Sequence, residues 1–346
     1  MKRILLLTAL LALAACQKAP KVYTLAAGDI SMTVTDFGAR VISLKTPDRE
    51  GKLANIVIGH ETAQEYVNPE GERFLGACVG PVANRIGGAR FEVDGVEYRT
   101  PENDHGHNTL HGGFTGVDNL YWDVVSRNDT SIVFHLLHPD GMEGYPGNLD
   151  IKMTYSLSSL GEFKITYMAT TDKPTPVNLT HHPFFCLRGD GKGRVEQYVM
   201  RIKASRYIPI DEESIPTGEI ANVEGTPFDF REPHLIGERI SQDNEQLRNG
   251  RGYDHNWCID KVDPFGVEFV CSVYDPESGR YIEVFSDQPG LQFYSGNFFT
   301  GDQYRASLAL ETQEWPDAVN NPLFGDIILR PGGLYKQTCI YRFSAF

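Results

Sequence analysis

The chain has 346 residues and a formal net charge of −14, with 46 Asp and Glu against 32 Lys and Arg. That balance excludes a nucleic-acid surface, which needs clustered Lys and Arg, and suits a body whose substrate is neutral. The length is enough to bury an extensive core, and all-β folds often use this much chain as one unit.

In chain order, Met1-Lys2-Arg3 is a short basic start and Ile4 to Ala15 an apolar run broken only by Thr8. The run is too short for a spanning helix and fits a secretory signal. It ends Leu13-Ala14-Ala15-Cys16, which resembles a bacterial lipobox, with cleavage before Cys16 and lipidation of its thiol. Residues 1–15 are therefore expected as signal peptide, 16–21 as a lipidated tether and 22–346 as one domain. Gln17-Lys18 carries no Asp beside the Cys, which favours the outer membrane of a bacterial envelope, with membrane contact only through the lipid. Five further cysteines, Cys78, Cys186, Cys258, Cys271 and Cys339, form no C-x-x-C pair and sit in apolar contexts. They are expected as free buried thiols.

Short alternating runs follow. Phe91-Glu92-Val93 and Val96-Glu97-Tyr98 flank Asp94-Gly95, the signal of a tight hairpin turn. Runs 131–136, 151–155, 163–167, 281–285 and 337–343 also read as strands. The best helical stretch is short, near Glu61 to Tyr66. The expected fold is all-β, a large antiparallel β-sandwich with few short helices.

Six segments carry chemistry. Asn84-Arg85 lies among small residues that allow close backbone approach, and Arg offers a rigid fork of donors to sugar hydroxyls. His111 precedes two glycines and can project from a turn. His105 and His107 lie near it, but no ligand sits at a convincing spacing, so no metal is expected. His181 and His182 are adjacent on a strand, so only one should enter a given site and the other should be a satisfied structural residue. Asp254 can accept two good hydrogen bonds from substrate hydroxyls or make an Asx turn. Gln292 offers a donor and an acceptor amid aromatics. Glu311, flanked by Leu308, Ala309 and Leu310, is expected to be partly desolvated with a raised pKa. An imidazole and a carboxylate are the acid and base such an enzyme needs on opposite sides of a substrate.

In this order and spacing, the motifs resemble the aldose 1-epimerase (galactose mutarotase) family. The anchors are Asn84-Arg85-Ile86, Leu110-His111-Gly112-Gly113, Asn178-Leu179-Thr180-x-His182, Tyr253-Asp254-His255-Asn256, Gln292 to Asn297 and Leu310-Glu311-Thr312-Gln313, with the closing Leu329 to Tyr335. The resemblance implies a single β-sandwich, no metal or organic cofactor, and interconversion of the α and β anomers of free aldohexoses. It also implies Glu311 as base, His182 as acid, His111, Arg85, Asp254 and Gln292 lining the sugar site, and Asn84 supporting it. The family usually has Asn, Tyr and Asn where His181, Phe184 and Cys186 stand; Pro183 is unusual, and His or Phe is frequent where Glu314 and Trp315 lie. These departures flank the acid and bear on sugar preference and pocket shape. The alternative reading is a surface sugar-binding protein on the same fold without catalysis. A phosphorylated hexose would call for an Arg or Lys cluster, which the motifs lack.

Overall fold

The computed structural model describes residues 18–346. The expected signal peptide and lipidation site, residues 1–15 and Cys16, lie outside the described residues. Every pairing between the named strands is antiparallel.

A nine-stranded sheet forms one layer. Its centre is Leu149–Ser158, Glu162–Thr171, Tyr335–Ala345, Arg280–Ser286 and Glu268–Tyr274. Strict alternation builds its inner face. Phe163, Ile165 and Tyr167 are fully buried while Lys164 is exposed, and Ile151, Met153 and Tyr155 repeat the pattern on the neighbouring strand. Each such side chain contributes roughly 1.5–3 kcal/mol by leaving water. The expected hairpin is present as Arg90–Val93 and Val96–Arg99, with Asp94 and Gly95 both at positive φ.

The second layer is a five-stranded sheet that includes Asp254–Cys258, Gly290–Tyr294 and Ala309–Gln313. Every residue of these three strands is buried, so both faces are covered. One face packs Trp257, Leu291, Phe293 and Leu310 into the same core as the nine-stranded sheet. The other face carries Asn256, Gln292 and Glu311, which stand abreast because Asn256 pairs with Gln292 and Gln292 with Glu311. A four-stranded sheet, Val22–Ala27, Ile30–Thr35, Val41–Pro47 and Leu53–Asn55, adds Met32, Val34 and Leu44 to the core. The expected β-sandwich is thus observed.

The one helical expectation is refined, and a helix that was not expected is present among the described residues. The stretch near Glu61 to Tyr66 is a 3₁₀ turn at Ala63–Tyr66, and the α-helix lies at Glu245–Asn249, capped by the Asn244 side chain. Both are single turns, too short for a periodic apolar pattern to reveal. Cys78, Cys186, Cys258, Cys271 and Cys339 are free and buried, as expected. No helix of the described residues is long and apolar enough to cross a membrane.

Candidate active site

The polar face of the five-stranded sheet meets a short ladder formed by Thr180–His182 and Ala77–Val79. Adjacent strand residues point opposite ways. His182 therefore enters the cleft, against Phe74, His111 and Phe184, while His181 turns into the core against the rings of Tyr155 and Phe163. One expectation for His181 is overturned: neither ring nitrogen has a partner among the described residues, so it is buried but not satisfied.

His182 Nε2 lies 3.3 Å from Glu311 Oε1. This corrects the picture of acid and base on opposite sides of a substrate, for the two groups are in direct contact. Both are buried, with Glu311 2% and His182 6% exposed. Burial raises the Glu311 carboxyl well above the usual carboxylate range, with the nearby Asp254 charge adding to it and Arg85 opposing it. Burial lowers the His182 imidazolium to about 3. Burial thus disfavours the charged form of each group, pushing the proton toward the carboxyl and away from the imidazole.

The backbone that carries Glu311 is fixed on both sides. The Tyr341 hydroxyl donates to the Leu310 carbonyl at 2.8 Å. Thr180 Oγ1 and Gln337 Nε2 both donate to the Thr312 carbonyl, each at 2.9 Å. Thr180 belongs to the strand of His182, so one of these bonds ties that strand to the strand of Glu311. Phe185, in the short strand Phe184–Phe185 that follows His182, and Leu308, just before the strand of Glu311, exchange backbone bonds of 2.7 and 2.9 Å and add a second tie between the two segments.

His111 reaches the cleft from the turn Leu110-His111-Gly112-Gly113. A Cβ on Gly112 would sit 2.0 Å from the Gly80 carbonyl oxygen, and its φ is +88°, so only glycine fits. Asn84 and His111 bond reciprocally: the His111 backbone N–H donates to the Asn84 carbonyl at 2.9 Å, and the Asn84 N–H donates to His111 Nδ1 at 3.0 Å. With Nδ1 accepting, the proton of the neutral ring sits on Nε2. Burial first, then the His182 and Arg85 charges, keep this ring neutral. Arg85 Nε donates to Asp104 Oδ2 at 2.9 Å. This leaves its terminal nitrogens for hydroxyls. Gln292 Nε2 donates to Asp254 Oδ1 at 2.8 Å, leaving Oδ2 open. Asp254 lies in a strand and is 8% exposed, so the Asx-turn option falls away. Burial raises its pKa.

The cleft is also lined by Glu72, Phe74, Leu110, Phe184, Tyr294 and Phe298. Two of these were readable from alternation: Phe184 stands two residues from His182 and Tyr294 two from Gln292. Glu72, Phe74 and Phe298 lie outside regular strands and left no periodic signal. Asp104 was likewise missed. His105 and His107 stay on the surface, His107 pairing with Glu213 at 2.6 Å.

A metal deserves a test, since His111, His182 and Glu311 offer three ligand atoms within 4.8 Å of one another. A ligating imidazole usually donates its second N–H to an acceptor. His111 does the reverse, accepting at Nδ1 and carrying its proton on Nε2, the nitrogen a metal would need. The donor set fits proton transfer and donation to oxygen better than coordination.

The chain as a whole is similar to known proteins. The sequence profile of the family described as aldose 1-epimerase matches residues 21–342. Galactose mutarotase of Rattus norvegicus is 40% identical over 333 residues, 93% of each chain. Aldose 1-epimerase of Escherichia coli is 36% identical over 324 residues, covering 91% of this chain and 92% of its own. The solved GalM/aldose epimerase homologue from C. elegans superposes with a TM-score of 0.86 at 29% identity, covering 94% of this chain and 99% of its own. Galactose 1-epimerase from Lactobacillus acidophilus gives 0.80 at 26% identity, with the same coverage. The chain belongs to the aldose 1-epimerase family, isomerases that interconvert the anomers of aldoses.

Proposed function

We propose that Glu311 and His182 form the acid–base pair that opens and recloses a free aldohexose, glucose or galactose, and that His111, Arg85, Asp254 and Gln292 hold the sugar. The observation that carries this reading is the 3.3 Å contact between His182 Nε2 and Glu311 Oε1 inside the cleft. The anomeric O1 and the ring O5 share one carbon, so the groups that serve them must be neighbours.

The sugar binds with the shared proton moved to His182, its O1 hydroxyl facing the Glu311 carboxylate. Glu311 removes the O1 proton, the C1=O1 bond forms, the C1–O5 bond breaks, and His182 protonates O5. The pair now has the distribution that burial favours, a neutral carboxyl and a neutral imidazole. Rotation about C1–C2 presents the other face of the aldehyde. Glu311 returns its proton to O1 as O5 attacks C1, and His182 recovers the O5 proton. His111 donates from Nε2 to the oxygen that carries developing charge. Acid–base help of this kind contributes roughly 10²–10⁴ in rate, and Arg85 with Asp254 supplies the orientation. The direct test is anomer exchange followed by optical rotation of fresh α-glucose and α-galactose. Acceleration over the spontaneous drift supports the reading, and tight binding of either sugar without acceleration supports the non-catalytic alternative.

We also infer that Cys16 carries lipid and tethers the body to a bacterial envelope, with the outer membrane as destination. The support is the basic start, the apolar run and the Leu13-Ala14-Ala15-Cys16 sequence. Labelled palmitate incorporated by the full chain and lost in Cys16→Ala would support it. Equal labelling of both would contradict it.

A further inference from the structure

Glu314 follows Glu311 by three residues but opens into a different cavity, which shares no lining residue with the catalytic cleft. At about 650 Å³ it exceeds the cleft, at about 100 Å³, and has the size of a small-molecule site. We propose that this cavity binds an organic ammonium ion, with its charged head against Glu314, Asp287 and Gln288 and its apolar body along the walls. The site is independent of the acid–base reading above.

The polar groups are gathered by the fold. Asp287, Gln288 and Pro289 are consecutive, and the Trp315 indole N–H donates to the Pro289 carbonyl at 3.2 Å, which brings Glu314 alongside them. The Asn178 side chain holds the Glu314 backbone from the other side, accepting its N–H at 3.0 Å and donating to its carbonyl at 3.2 Å. The Glu314 carboxyl itself has neither a cation nor a hydrogen-bond donor among the described residues. Burial and the facing Asp287 charge push it up to about 7. Asp287 Oδ1 accepts from the Thr338 N–H at 2.9 Å and from Gln288 Nε2 at 3.2 Å, which leaves Oδ2 open. Gln288 is 5% exposed, lines the cavity, and its Oε1 has no partner among the described residues.

These groups narrow the ligand. Three acceptors call for donors, and an ammonium brings three N–H donors and no acceptor. Two facing carboxyls call for positive charge, since a neutral ligand would leave them opposed and an anion would add to the repulsion. The cations nearby do not supply it. Lys261 feels the Asp287 charge but donates to the Gly266 and Ser286 carbonyls at 2.6 and 2.9 Å. Lys336 lines the cavity but is exposed and forms no ion pair among the described residues. The remaining walls are apolar. Val177, Ile327 and Leu329 are buried, while Phe265 and Leu334 are exposed and can cover the body of a ligand.

The test is titration calorimetry at pH 8.5, above the Glu314 value, with the full chain. The probes are n-butylammonium, cyclohexylammonium and 2-phenylethylammonium, each beside its matching alcohol. The expected result is that at least one ammonium binds about tenfold or more tightly than its alcohol, and that Glu314→Gln weakens it about tenfold or more. Asp254→Asn, which alters the catalytic cleft instead, should leave that binding within about twofold. Circular dichroism and denaturation midpoints check that both variants fold, and the comparison of ammonium with alcohol on wild type stands without them. No binding by any ammonium, or equal binding of ammonium and alcohol, would overturn the site. So would binding lost in a folded Asp254→Asn but kept in Glu314→Gln, which would place the cation in the catalytic cleft.

Discussion

His181 and His182 are neighbours in sequence, both almost fully buried, both with imidazolium forms lowered to about 3 by burial. One faces a carboxyl at 3.3 Å, the other faces the rings of Tyr155 and Phe163 with both nitrogens unpartnered. Burial alone therefore does not mark the histidine proposed as the acid. What separates the two is the group across from Nε2, and that is decided by the alternation of a three-residue strand.

The comparison breaks most sharply by substitution. His182→Leu should lower kcat by about 10²–10⁴-fold, the range for loss of an acid–base group. His181→Leu should leave kcat within about threefold. It should also raise stability by about 1 kcal/mol, because it removes buried polar atoms that have no partner. Paired polarimetry and denaturant titrations check both. Equal loss of activity in the two variants would sink the distinction.

A second difference is expected in acid. His111, His138, His181, His182 and His255 are all held neutral by burial, His138 with a value of about 4 and His181, His182 and His255 of about 3. Their folded values lie below the unfolded value near 6.5, so the unfolded chain takes up protons first as pH falls. The stability they contribute is present above about 6.5 and is lost as pH falls toward about 3, with an upper slope of about 1.4 kcal/mol per histidine per pH unit. The buried carboxyls Glu311, Asp254 and Glu314, whose folded values are raised, oppose this loss as pH falls, so the histidine-driven drop from pH 6 to 4 is read as the difference between wild type and His181→Leu. His181→Leu should soften that drop, and a profile identical to wild type would contradict the neutral assignment of His181.

Smaller effects concern position. Gln337→Leu removes one of the two donors to the Thr312 carbonyl, leaving Thr180 to hold it. We expect kcat to fall no more than about tenfold with KM nearly unchanged, and a destabilisation of about 1 kcal/mol from the lost bond. A larger rise in KM than fall in kcat would place Gln337 in sugar binding instead.

These particulars also show what sequence carries. Lys164 between Phe163 and Ile165 announced a strand, and Asp94-Gly95 announced its turn, because period and turn chemistry are local. Glu311, Gln292 and Asp254 were readable as chemistry, and the sheet register then brought them to one face. The contact of His182 with Glu311 was not readable as distance, since 129 residues of chain separate them and only the completed fold closes that gap. Glu72 and Phe298 come from irregular segments whose positions depend on what they pack against. The single-turn helix Glu245–Asn249 was not read for a related reason, as one turn buries too little to impose a pattern.

The central claim is that Glu311 and His182 share the proton that opens the ring. The most direct measurement follows the optical rotation of fresh α-glucose and α-galactose with wild type and Glu311→Gln. Gln keeps the shape but can neither take nor return the O1 proton. It also removes a group whose folded pKa is raised, so the variant should be at least as stable as wild type at neutral and alkaline pH. The account predicts acceleration by wild type and a loss of about 10²-fold or more in a folded variant. A folded Glu311→Gln protein that exchanges anomers at near wild-type rate would contradict it.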